Sequence, residues 1–264
     1  MNLPAQEYPF IFLSACFSGT WQGKESQQAE LRVPAIRGHL RLWHRALYRH
    51  ADANRVWGST AGNDGSGSRV GVTLKNLPAP GTTKADTLPH KENAFHRGPR
   101  AALPAGTKAT LILQRLPGCT GTDWDHAQKA ARLWLLLGSL GYRSNRAAGS
   151  VWPDGTTAPA NPAALRQELT SLGCNWAINL APTVIGTTWE PLREAASDTP
   201  NVPATYGAAR PRTPSPTHLK IVRFGSEFRL IIFAQSSHTL ASAKTDMQGK
   251  LIPALSRPAE WMPA

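Results

Sequence analysis

Three histidines, His39, His44 and His50, fall on or beside the stretch ELRVPAIRGHLRLWHRALYRH, residues 30–50. A histidine pair next to a phosphodiester can act as general acid and base in RNA cleavage. The spacing argues against that role, because five residues from His39 to His44 put the two rings on different sides of a helix, and neither has a carboxylate placed to orient it. Asp64 and Asp86 stand in loop sequence, where a lone aspartate is a turn former. The chain has no Gly-x-x-x-x-Gly-Lys-Ser/Thr phosphate loop and no Gly-x-Ser-x-Gly elbow, and GNDGSGS (62–68) lacks the ligand spacing of a calcium loop. Cys16, Cys119 and Cys174 are odd in number and far apart, which fits buried thiols better than a disulfide framework or a zinc site. These residues predict no catalytic group, no metal and no cofactor.

The cationic residues carry more. Arginines at 37, 41, 45 and 49 recur every four positions, so on a helix their guanidinium groups stack and drift slowly round the axis. From Arg32 to Arg49 there are five arginines, two histidines and no Asp or Glu, whereas solvated helix faces usually mix signs. A second concentration is GSLGYRSNRAAGSV (138–151), where Gly138, Gly141 and Gly149 surround Arg143, Ser144, Asn145 and Arg146. One glycine suffices to cap a helix; three predict a loop in which missing side chains let a phosphate reach backbone N–H groups while the arginines supply charge-assisted hydrogen bonds. The net charge of +12, from 29 Lys plus Arg against 17 acids, favours a polyanionic partner, nucleic acid first and an anionic membrane surface second.

The remaining sequence must position these groups. With 264 residues, 41% of them hydrophobic, and nine tryptophans the chain folds around a sizeable core, and 22 glycines with 22 prolines predict long connections. No apolar run approaches the length of a membrane span, and the N-terminus lacks the pattern of a signal peptide, which predicts a cytoplasmic protein. Residues 8–19, 68–76 and 106–116 read as strands; 30–50 reads as one helix with Ile36, Leu40, Trp43 and Leu47 on its apolar stripe; the helix over 126–140 is capped by Asp123 or Asp125. Residues 161–173 read as a short helix, 174–182 as a strand, 197–217 as an extended connector carrying Arg210 and Arg212, 218–235 as a hairpin about Gly225-Ser226, and 240–251 as a final helix. Trp43 and Trp134 are assigned to the core; Trp57, Trp152 and Trp189 lie beside loops where stacking on bases is open to them, although core or interface packing is the favoured reading for each taken singly. No repeat of fixed period is visible.

The order ELRVPAIRGHLRLWHRAL, VWGST, SRVGV, PAGTKATLIL, LWLLLGSLGYRSNRAAGSV and SPTHLKIV resembles the RAMP superfamily of CRISPR effector proteins, and within it the first subunits of the Cmr (type III-B) RNA-targeting complexes. The resemblance spans about residues 8–235. It implies an α+β fold of tandem ferredoxin-like (RRM-like) modules, with residues 1–152 as the N-terminal one, holding an insertion at 77–107 and a glycine-rich loop at 138–150, and 153–264 as a smaller C-terminal one. It implies a non-catalytic subunit of a ribonucleoprotein used in antiviral defence, with guide RNA (its 3′ region), target RNA and other RAMP subunits as partners. Carried onto this sequence, it assigns RNA contact to Arg37, Arg41 and Arg45 on the helix and to Gly141, Arg143, Ser144, Asn145, Arg146 and Gly149 on the loop. The alternatives are a metal-independent endoribonuclease using His39 or His44, and a module whose basic face meets an acidic protein.

Overall fold

Alternation within short segments sets the first sheet. In the strand Lys108–Arg115, Ala109, Leu111 and Leu113 are buried while Gln114 is exposed, and in the strand Ala5–Phe12 the apolar end Phe10-Ile11-Phe12 is buried while the polar start faces solvent. A computed structural model describes residues 4–19, 27–59, 65–89, 99–180, 188–199, 202–209, 212–243 and 260–262. Its elements run β1 (Ala5–Phe12), α1 (Val33–Leu47), α2 (His50–Trp57), β2 (Val70–Lys75), β3 (Lys84–Ala85), β4 (Arg100–Ala101), β5 (Lys108–Arg115), α3 (Gly121–Leu137), β6 (Val151–Pro153), α4 (Pro162–Ser171), β7 (Ala177–Leu180), α5 (Glu190–Ser197), α6 (Pro203–Tyr206), β8 (Ala208–Ala209), β9 (Arg212–Thr213), β10 (Thr217–Phe224), β11 (Glu227–Ala234) and β12 (Glu260–Met262).

The strands form two antiparallel four-stranded sheets, in the orders β2-β5-β1-β6 and β10-β11-β7-β12. In both, the second, third, first and fourth main strands of the half lie side by side. That shared order is the ferredoxin-like arrangement, so the fold is α+β with two such modules in tandem. The repeat has no fixed sequence period because the connections differ: the first half carries the 77–107 insertion, the second carries α5, α6 and the β8–β9 ribbon. The ends of that insertion pair as β3 and β4, with Lys84 opposite Ala101 and Ala85 opposite Arg100. Strand β6 runs through Pro153, so the last strand of the first sheet straddles the 152/153 position. Phe10, Phe12, Trp57, Trp134, Trp152 and Phe233 are all nearly or fully buried in one core cluster that continues from one half into the other.

Several local expectations are corrected. The 30–50 helix is two helices, because Tyr48 turns extended (φ −135°, ψ 177°) and α2 restarts after Arg49; the arginine ladder therefore breaks before its fourth rung. Thr120, not Asp123 or Asp125, caps α3: its hydroxyl accepts from the Asp123 N–H at 3.0 Å while the Asp123 carboxylate accepts from the Thr120 N–H at 3.2 Å. For the tryptophans the core reading holds: Trp57 and Trp152 are core residues, unavailable to stack on a base, and Trp189 packs half-buried against the core. The 197–217 connector contains α6 and the β8–β9 ribbon, Arg210 lies outside the described residues, and a helix begins at 237 rather than 240 and is described to 243. Asp64 also falls outside the described residues. Cys16 and Cys119 are buried and Cys174 half-buried, none of them in a disulfide.

Candidate nucleic-acid interface

Helix α1 buries Ile36, Leu40, Trp43 and His44 and turns the opposite face outward. Two arginines of the expected ladder are engaged within the protein: Arg37 donates to the Trp57 carbonyl and Arg41 to Asn54 Oδ1, so both tie α1 to α2. Arg45 is exposed. Gly38 also lies on this outer face. Glycine in a helix interior costs roughly 1 kcal/mol relative to alanine, and a Cβ at Gly38 would meet nothing within 4 Å, so packing does not require it. Gly38, Arg32, His39 and Leu42 line one side of an open groove of about 530 Å³, and Phe17 and Tyr142 line the other. The missing side chain keeps its floor low.

The glycine loop forms the far bank. Arg143 and Ala147 adopt left-handed φ values of 64° and 60°, a conformation non-glycine residues hold only where surroundings enforce it. The enforcement is a set of backbone bonds: Tyr142 N–H donates to Phe17 O (3.0 Å), Arg146 N–H to Arg143 O (2.8 Å), Ala147 N–H to Leu219 O (3.0 Å) and Gly149 N–H to Ala15 O (2.9 Å). Ser14 Oγ and Ser150 Oγ both donate to Ala147 O, at 2.6 and 3.0 Å. The glycines therefore do something other than open N–H groups to a phosphate. A Cβ at Gly141 would stand 2.7 Å from Phe17 O, and one at Gly149 would overlap Leu140 O, so both allow the loop to pack against the protein's own backbone.

The loop's side chains divide. Tyr142 is 45% exposed, with the Arg100 and Arg143 guanidinium groups 5.0 and 5.8 Å from its ring centre. Arg146 turns inward, donating to Tyr206 O at 2.8 Å and to Ser215 Oγ at 3.3 Å, and burial together with the charge of Arg143 brings it down to about 10. Arg193 on α5 joins them: it is 4% exposed, donates to Thr87 O at 3.0 Å, and is pushed to about 10 by burial and then by Arg143 and Arg146. Among the described residues no carboxylate pairs with Arg100, Arg143, Arg146 or Arg193, and none lines the groove. The bank is cationic without compensation, which favours an anion against it. Ser144 and Asn145 face a second cavity beyond His39.

Of the two histidines weighed for catalysis, His44 is fully buried and its Nδ1 accepts from Trp57 Nε1–H at 3.1 Å. His39 lines the groove, and burial lowers its pKa. No group of three or more His, Cys, Asp or Glu suited to a metal occurs among the described residues, and no helix there is long and apolar enough to cross a membrane. Sequence reasoning missed Gly38, Arg100, Tyr142 and Arg193 as site residues. Only Gly38 carried a local signal, a glycine in the middle of an amphipathic helix; the others depend on tertiary approach.

Residues 22–152 match the sequence model of the RAMP superfamily. The fold extends the likeness over both halves. Cmr1 from Pyrococcus furiosus, solved in its apo form, is 16% identical with a TM-score of 0.60, covering 89% of each chain. A chain of the type III-B Cmr-beta complex bound to cognate target RNA and AMPPnP, in the presence of ssDNA, is 9% identical with a TM-score of 0.58, covering 95% of this chain and all of that one. No curated protein matches the sequence.

Proposed function

We propose that the chain is a non-catalytic RNA-holding subunit of a type III CRISPR ribonucleoprotein of the Cmr kind, with its units at 1–152 and 153–264. It binds guide RNA in its 3′ region and/or target RNA and packs against other RAMP subunits. The observation that carries this reading is the groove between α1 and the glycine loop, floored at Gly38 and flanked by an exposed tyrosine under two arginines, with no carboxylate along it among the described residues. Such a groove suits a single strand: Arg32, Arg100 and Arg143 for phosphates, Tyr142 for a base face. Sequence discrimination then falls to pairing with the guide.

The test is binding of single-stranded RNA by wild type, Arg32→Ala/Arg143→Ala and Gly38→Glu across a salt series. The double variant is expected to bind every sequence more weakly and to lower the salt slope by about 1.4, at roughly 0.7 per lost phosphate contact. Gly38→Glu places a carboxylate where space is open, and is expected to lose binding with its thermal midpoint kept. Unchanged affinity in both variants would refute the groove; RNA cut by the wild type would favour the endoribonuclease instead.

A further inference from the structure

Beyond His39 and Leu42, which belong to both spaces, the groove continues into a more enclosed cavity of about 320 Å³ between α1, the glycine loop and strands β10 and β11 of the second sheet. That volume lies at the small end of the range for ligand pockets, about 300–1,000 Å³. Its walls are aromatic. Trp43 and Trp176 lie 5.3 Å apart between ring centres, Trp176 and Phe233 5.8 Å, and the His218 ring stacks on Phe233 at 5.2 Å and 10°. Its polar groups are neutral: Ser144 and Asn145 come from the glycine loop and Gln235 from the end of β11, and their side chains form no hydrogen bond with the described residues. Burial lowers the pKa of both histidines, His218 to about 4, so neither is charged at neutral pH. Among the described residues no Lys, Arg, Asp or Glu side chain lines the space.

We infer that this cavity takes one unstacked nucleobase from the RNA strand lying in the groove. The inference rests on the RNA-holding function proposed above. An aromatic-walled pocket lined by neutral side chains disfavours a phosphate, because Arg146, the guanidinium that bonds the lining Ser215, is already held by Ser215 Oγ and Tyr206 O, and the amides of Asn145 and Gln235 each offer a donor and an acceptor to the polar edge of a base. The flanking phosphates remain in the groove, where the arginines are. A base-sized site that opens off a backbone-sized site gives the subunit a fixed register on the strand.

The probe is a single-stranded oligouridylate carrying 2-aminopurine at one position, moved along the strand in a series. With wild type, one position is expected to show strong fluorescence quenching against the aromatic wall, and an abasic site there is expected to weaken binding about tenfold, the scale of one stacked base. Asn145→Ala/Gln235→Ala removes side chains bound to nothing else in the described protein, and is expected to lose the position-dependent quenching and most of that tenfold. Equal quenching at every position, or a double variant indistinguishable from wild type while Gly38→Glu abolishes binding, would overturn the pocket and leave the groove standing. Wild type that binds no RNA would overturn both, and cleavage beside the quenched position would reassign His39 and His218 to acid–base roles.

Discussion

Replacing Gly149 by alanine is expected to destabilise the fold by about 3 kcal/mol or more, near the upper end for a single methyl group. Two costs combine. The residue sits at φ 58°, a left-handed conformation that costs an L side chain roughly 1–2 kcal/mol. The added Cβ would also overlap the Leu140 carbonyl oxygen and press Cys16 Sγ at 3.2 Å, and Leu140 cannot retreat because its own N–H donates to Gly149 O at 2.9 Å. Gly106→Ala isolates the first cost: its φ is 88°, but nothing lies within 4 Å of the new methyl, so a loss of only about 1–2 kcal/mol is expected. Urea unfolding of the two variants beside wild type measures the difference. Equal losses would mean that the close approach at Gly149 contributes nothing.

The second large effect is acid lability set by His44. Its ring is fully buried, Nδ1 holds the Trp57 N–H, and burial followed by the charge of His126 brings its pKa from 6.5 down to about 4. The native state therefore resists a proton that the unfolded chain accepts. Between pH 6.5 and about 4 the unfolded state binds more protons, so stability rises with pH across that window and is lost as pH falls through it. The shift is equivalent to about 3 kcal/mol at most. His218 acts in the same direction. His44→Gln keeps an acceptor for Trp57 and removes the titration, and its stability is expected to fall less between pH 7 and 4.5 than that of wild type. Parallel pH profiles would show that the buried imidazole does not govern the loss.

These residues also show what the sequence could disclose. Periodicity located α1, α3, β2, β5 and the β10–β11 hairpin, because an apolar stripe is a local record of which face is buried. The break at Tyr48 left no such record, since Leu47 continues the stripe to the last residue of α1 and the arginine spacing carries on to Arg49. Trp57 and Trp152 read as loop-side aromatics because the elements that bury them arrive from elsewhere: His44 on α1 for one, Lys220 and Phe224 on β10 for the other. The glycine loop was conspicuous by composition, yet composition does not say whose backbone approaches a missing Cβ. At Gly141 and Gly149 it is that of Phe17 and Leu140.

The seam along β10 sets how far the molecule can be divided. Lys220 is fully buried, its pKa well below the ordinary lysine range, and its Nζ donates to Leu135 O at 2.7 Å in the last turn of α3. On either side, Leu219 exchanges backbone bonds with Asn145 and Ala147, and the Ile221 N–H donates to Ser150 Oγ at 3.0 Å. Every one of these rungs has one end in each half. The two modules are thus separable as topology but not as objects: cutting the chain near residue 153 would strip the loop of the strand that holds its left-handed turn and leave an amine and a helix-end carbonyl without each other. The seam makes one continuous core out of two folds.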